Sequence, residues 1–225
     1  MTRAFLWLFK ALLWFVAISV AWVLLYAVVP PPTTPTMLFD SNGAERDWMS
    51  LSEMDRDIVR AAIAGEDGRF CEHSGFDMRA IGQAMAANAS GRRMRGGSTI
   101  SQQTAKNAFL WQGSGTISRT VRKLPEAWFT FLIETLWGKR RIMEVYLNIA
   151  ETGIGTYGVN AGAERYFGKS AASLNRSEAA RIIAVFPLPK RRGAISPRGF
   201  TRRYGNSIAA RIGVVQRDGL DRCIY

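Results

Sequence analysis

The sequence predicts a mainly α-helical domain carried behind one membrane-spanning helix. Three observations lead there: a long uncharged apolar run near the N-terminus, apolar residues recurring at helical spacing through most of the remaining chain, and scarce strand-like alternation. At 225 residues the chain is long enough for one domain with a proper core plus such an appendage.

From Ala11 to Val29 nineteen residues, ALLWFVAISVAWVLLYAVV, carry no charge. At about 1.5 Å per residue such a helix spans roughly the 30 Å of bilayer hydrocarbon. A cleaved signal peptide and a buried core helix are the competing readings. The apolar stretch is longer than a usual signal, however, and Pro30-Pro-Pro stands where a small-residue cleavage site is needed. Residues 1–10 then form a cytoplasmic tail and the start of the anchor, and 11–29 the transmembrane helix. Arg3 and Lys10 flank its N-terminal side, so the tail stays cytoplasmic and the rest is exported. PPTTPT, residues 31–36, reads as an extended tether within a Pro-rich linker of residues 30–45, ahead of a working domain of residues 46–225.

Helix signals come next, in chain order. SEMDRDIVRAAIA, 52–64, has Ser52 as a cap, apolar residues four apart, and Gly65 as a stop, leaving Glu66 at the end of a packed helix. Residues 78–89 continue as a second helix, followed by GRRMRGG, a mobile basic turn. Thr99 with Gln102 has the form of a capping box, so a helix begins there with an anion-attracting N-terminus. After the Gly/Ser loop WQGSGTIS, a long stretch of helical spacing is divided by Gly138. Pro125 within it delays the helix start. A last helix runs near Ser177 to Val185, capped by Asn175 with Glu178 three on.

The net charge of +12 is uneven: residues 91–141 hold 10 basic and 2 acidic groups, and 190–225 hold 9 and 2. On an exported domain this suits anionic lipid headgroups or an anionic substrate, and an ordinary solvated face remains open for the C-terminal segment. Nucleic acid is set aside, since no aromatic-interleaved binding motif appears. Cys71 and Cys223, the two cysteines, could pair in an oxidising compartment, but their spacing gives no signal, so no required disulfide is expected. With one histidine, a zinc site of the usual kind is not expected either. GIGTYG, 153–158, matches a dinucleotide fingerprint but follows a helical pattern instead of a strand, and so reads as a Gly-rich loop.

Chemistry concentrates in two places. AGEDGRFCEHSGFD, residues 64–77, holds Glu66, Asp67, Glu72, Asp77 and the chain's one histidine, His73. Lys106, Arg119, Arg122 and Lys123 form a cationic set suited to a phosphate or diphosphate, with Glu126 one helical turn from Arg122 and Lys123. Local ion pairing explains the second set equally well. Glu66 and Glu126, if brought together, would make the carboxylate pair used in chemistry at an anomeric carbon.

These residues together carry a resemblance. EDGRFCEHSGFD resembles the EDxxFxxHxGxD signature of the peptidoglycan glycosyltransferases, and GGSTISQQTAKN, RKLPE and KRRIMEVYLNIAETGIGTYGVNAGAERYFGK resemble that family's second, third and fourth motifs, in order, over about residues 50–190. The resemblance implies a lysozyme-like, two-lobed fold that polymerises lipid II. It implies Glu66 as general base and Glu126 as second essential glutamate. Asp67, Phe70, His73, Ser98, Thr99, Gln102, Gln103 and Lys106 would line the cleft, with Arg119, Arg122 and Lys123 beside Glu126. Glu144 looks like the family's fourth-motif glutamate in a structural role, and Asp67 and His73 are read as orienting groups. Arg119 departs from the family pattern, standing three residues before Arg122 where four are usual. The implied partners are lipid II, the nascent glycan strand, inner-membrane lipids and other cell-wall synthesis proteins. No cofactor is evident, and a divalent cation is left open.

Overall fold

The computed structural model describes residues 3–89, 97–111 and 116–225. The basic turn GRRMRGG lies mostly outside the described residues, as does the middle of the WQGSGTIS loop.

Among the described residues the chain is mainly helical. Helix α1, Arg3–Val28, is followed by a short helix α2, Pro35–Leu38, and a two-residue strand β1, Glu45–Arg46. Then come α3, Arg56–Glu66; α4, Met78–Ala89; α5, Ile100–Phe109; α6, Thr116–Leu136; and α7, Lys139–Ile149. Strands β2, Glu151–Gly153, and β3, Thr156–Tyr157, precede α8, Val159–Phe167, α9, Arg176–Val185, and α10, Gly199–Arg217.

Helix α1 is long and apolar enough to cross a membrane, with a mean hydropathy of 2.4 over its most apolar window. Most of its large side chains are exposed, Trp7 and Trp14 among them. Its buried residues are Ser19, Val23 and Tyr26, spaced four and three apart on one stripe. That stripe docks on the domain. The Trp128 indole donates to Ser19 Oγ at 3.0 Å and that of Trp137 to the Val23 carbonyl at 2.9 Å. Trp22 meets Phe109 edge-on at 5.3 Å, and Phe109 stacks on Phe129 at 4.6 Å. Arg141 donates to the Tyr26 and Val29 carbonyls, satisfying the orphan acceptors at the end of α1.

The segment expected as an extended tether is folded onto the domain instead. Thr34 caps α2, and Thr34, Thr36 and Met37 are buried. Thr36 Oγ1 donates to the Leu110 carbonyl, and Arg46 to that of Pro32. Proline here sets the first turn of a short helix, a position it favours.

Both predicted capping boxes form, Thr99 with Gln102 and Asn175 with Glu178, and Gly138 is the N-cap of α7. Three local expectations are corrected. Asp55, not Ser52, caps α3, accepting from Asp57 N at 2.8 Å, because Ser52 is engaged in the preceding turn with Ser50. Gly65 does not stop α3, which continues to Glu66; a Cβ at Gly65 would stand 2.9 Å from Ile183 Cγ2, so the glycine serves close packing. Pro125 lies inside a continuous α6. The carbonyl that loses its donor belongs to Val121, which is exposed, while Phe129 and Ile133 on the other face are buried and hold the helix in place. The helix at 176–185 is also not the last: α10 follows it, unread from the sequence.

GIGTYG forms the β2–β3 hairpin, antiparallel, with β1 added parallel to β3. Gly155 takes φ +65° and passes so close to the Asn42 carbonyl that a Cβ would sit 2.7 Å from it. Its glycines serve backbone geometry.

Helices α3, α9 and α10 pack against one another, while α5 packs against α6 and α7. Cys71 and Cys223 are bonded, a pairing that their spacing in the sequence did not signal. Folding places the turn after α3 against the C-terminal turn, where Arg60 also pairs with Asp221 at 2.9 Å. Their 152-residue separation hid that proximity.

Candidate active site

Glu66 ends α3, and the next residue fixes where that end points. The Asp67 carboxylate accepts from Ile100 N at the start of α5, at 3.0 Å, and from His73 Nε2 at 3.0 and 3.1 Å. Gly75 N donates to His73 Nδ1 at 3.2 Å, which assigns the Nε2–H tautomer. Thr99, the cap of α5, donates to the Gly75 carbonyl at 2.6 Å and closes the loop 67–75 onto the same helix start. Asp67 and His73 are thus turned inward, joining α3 to α5, and Phe70 is fully buried beneath the Lys139 ammonium at 4.4 Å.

With the start of α5 held, Gln103 and Lys106 project one turn along it. Gln103 Nε2 donates to Glu66 Oε2 at 3.1 Å, and Tyr146 OH to Gln103 Oε1 at 3.4 Å. Burial raises the Glu66 carboxyl above the usual glutamate range, opposed by Gln103, Tyr204, Lys106 and Arg192. Ser98 is exposed ahead of the helix, and Gln102 accepts the Thr99 N–H.

Helix α6 supplies the second carboxylate. Glu126 is 3% exposed and takes Lys123 Nζ at 2.5 Å. Arg122 donates to the Trp111 carbonyl at 3.2 Å, while its Nε is buried with no hydrogen-bond partner among the described residues. The backbone of Arg119 lies in α6, and its side chain falls outside the described residues.

Lys106 ties the two halves together. Burial lowers its ammonium below the usual lysine range, Arg122 and Lys123 add to that, and Glu126 and Glu66 oppose it. One half-buried cation therefore lies within electrostatic reach of both glutamates. A cleft of about 350 Å³ opens beside it, lined by Gln103, Lys106, Glu151, Phe186, Lys190 and Arg191 among others. Glu66 adjoins this cleft through Gln103. An apolar groove of about 580 Å³ runs along α6 between Phe15 of α1 and Leu124, Trp128 and Phe131.

Glu144 accepts from Leu51 N at 3.0 Å and from Arg141 at 2.6 Å. Among the described residues, Asp67, His73 and Asp77 bring ligand-type atoms within 4.8 Å of one another. Asp77 is already held by Arg69 at 3.1 Å and Ala80 N at 2.9 Å, and Asp67 and His73 by the bonds above, so this donor set is spent on the fold and does not suit a cation. Sequence reasoning missed Glu151, which lines the cleft, and Tyr204 and Arg192, which lie near Glu66. Tyr204 and Arg192 lay in a segment read only as basic, and Glu151 within a motif read for its glycines.

The Transglycosylase family profile matches residues 34–212. A biosynthetic peptidoglycan transglycosylase of Caulobacter vibrioides is 48% identical over 212 residues, covering 93% of this chain and 91% of that protein. One from Jannaschia is 44% identical, covering 96% and 89%, and one from Pseudomonas aeruginosa 47% identical, covering 87% of each. With the matched span enclosing both glutamates and the cations between them, the chain belongs to the transglycosylase family.

Proposed function

We propose that the protein is a peptidoglycan glycosyltransferase that polymerises lipid II into β-1,4 glycan strands, inverting the anomeric centre and releasing undecaprenyl diphosphate. It acts as a single-pass protein of the bacterial inner membrane with its catalytic domain in the periplasm. The observation that carries this reading is the cleft wall shared by Lys106 and Gln103: Gln103 donates to Glu66 at 3.1 Å, and the Lys106 ammonium is within electrostatic reach of both Glu66 and Glu126.

Glu66 takes the proton from the acceptor sugar's 4-hydroxyl as that oxygen attacks the donor's anomeric carbon. The carbon–oxygen bond to the diphosphate breaks on the opposite face, and the pair of electrons leaves with the diphosphate. A carboxyl raised by burial is a stronger base than an exposed glutamate, and the orienting bond from Gln103 aims it. Lys106, Arg122 and Lys123 meet the charge growing on the leaving diphosphate, where stabilisation is greatest in the transition state. The buried Nε of Arg122, without a hydrogen-bond partner among the described residues, suits that task. Glu126 holds Lys123 in place and balances the cationic cluster. The apolar groove between α1 and α6 suits a prenyl chain rising from the bilayer beside these cations. The exposed apolar faces of α1 and the stripe that docks it on α6 support an anchor kept close to the membrane surface.

The test is incubation of the detergent-solubilised protein with labelled lipid II. Polymer is expected, and Glu66→Gln should lower its rate on the order of 10²- to 10⁴-fold with lipid binding retained. Near-normal polymerisation by that variant refutes the assignment. Fragmentation of purified cell wall would indicate a glycan-cleaving enzyme, and indifference to Glu66→Gln with no polymer an anchored scaffold.

A further inference from the structure

We propose that Tyr204, brought in by α10, is a positioning residue for Glu66: its hydroxyl ties down the last turn of α3 and orients the carboxylate toward the cleft. This rests on the reading of Glu66 as the base.

Gly65 is the residue before Glu66, and its carbonyl is among the last four of α3, which have no partner within the helix. The hydroxyl's one proton is shared: Tyr204 OH donates to that carbonyl at 2.7 Å, with a longer second arm of 3.5 Å to Glu66 Oε1. One phenol therefore meets both the backbone that carries the carboxylate and the carboxylate itself. The approach depends on glycine at position 65, where a Cβ would lie 2.9 Å from Ile183 Cγ2 and 3.1 Å from Ile208 Cδ1. Ile208 stands one turn after Tyr204 on α10, so the packing that excludes a side chain at 65 also delivers the hydroxyl.

The phenol is held from behind. Tyr204 stacks on Phe200 at 5.5 Å and 27°, and the Arg192 guanidinium covers the other ring at 4.7 Å. This column fixes the ring whether or not the hydroxyl is present. Besides Gln103, which donates to it, the titratable and charged groups facing Glu66 among the described residues are Lys106 from α5, Tyr146 from α7, Arg192 from the segment after α9, and Tyr204. Of these, Tyr204 alone also bonds the Glu66 turn. Against the burial that raises the carboxyl, the hydroxyl favours its charged form. Removing it moves the carboxyl further upward.

Tyr204→Phe keeps the ring and the column and deletes only the hydroxyl. In the lipid II assay kcat should fall about fivefold, the equivalent of one net hydrogen bond of ~1 kcal/mol, with KM little changed. The acid limb of kcat should move to higher pH, because Glu66 acts when deprotonated. In protein labelled with ¹³C at glutamate carboxyls, with Glu66→Gln identifying the resonance, the Glu66 midpoint should rise in Tyr204→Phe; this readout does not require activity. An unmoved limb, or an unmoved midpoint where the variant is inactive, overturns the positioning role. Glu66→Gln separates the two claims. If it still polymerises, the base assignment falls. If it is dead and the Tyr204→Phe titration matches wild type, only the positioning role falls.

Discussion

Reducing the Cys71–Cys223 bond, or replacing both cysteines by serine, should lower stability with little effect on turnover at 25 °C. The bond closes a sequence separation of 152 residues. For a loop of that length the chain-entropy relation gives a ceiling of about 5 kcal/mol, and measured bridges typically reach ~2–4 kcal/mol. The native segment should stay in place without the bond. Asp221 remains paired with Arg60 at 2.9 Å, the Ile224 carbonyl with Arg140 at 3.1 Å, and the Tyr225 ring lies 4.7 Å from the Arg56 guanidinium. The loss thus falls on the unfolded chain. At about 2–4 °C per kcal/mol for a chain of this size, the melting temperature should drop by roughly 5–15 °C. Thermal melts of the detergent-solubilised protein with and without reductant, read by tryptophan fluorescence, measure this, and a thiol-reactive dye should label the protein only after reduction. Superimposable melts, or full labelling without reductant, would refute the reasoning.

Glu66 should act against stability while serving chemistry. Its folded-state carboxyl is raised, so between the ordinary glutamate range and the folded value the native state binds more protons than the unfolded chain. Stability from this group is therefore present at low pH and lost as pH rises through the folded value. Glu66→Gln should accordingly melt higher than wild type at neutral pH, the difference closing on acidification; a constant difference across pH would count against a raised carboxyl. Lys123→Met leaves Glu126, 3% exposed, without its direct cation. Because the lysine side chain is 58% exposed, the cost is discounted to about 1 kcal/mol, and kcat should fall more than KM rises. Unchanged melting and unchanged kcat would show the pair to be incidental.

The features that the sequence determined by itself are those whose cause is local. The uncharged run of α1, the capping boxes at Thr99 and Asn175, and the break at Gly138 all arise from residues within one or two helical turns. The motif residues that carry the family were likewise legible, because their types and spacings lie along the chain. Even local rules yielded where packing opposed them: α6 runs through Pro125 because Phe129 and Ile133 are buried beyond it. Tertiary structure alone decided which distant groups meet. It folded residues 34–38 onto the domain, joined Cys71 to Cys223, turned Asp67 and His73 inward, brought Lys106 within electrostatic reach of Glu66 and Glu126, and brought Tyr204 to Gly65. Periodicity and capping report which face of an element is buried, but not what buries it; that depends on packing between helices far apart in the chain.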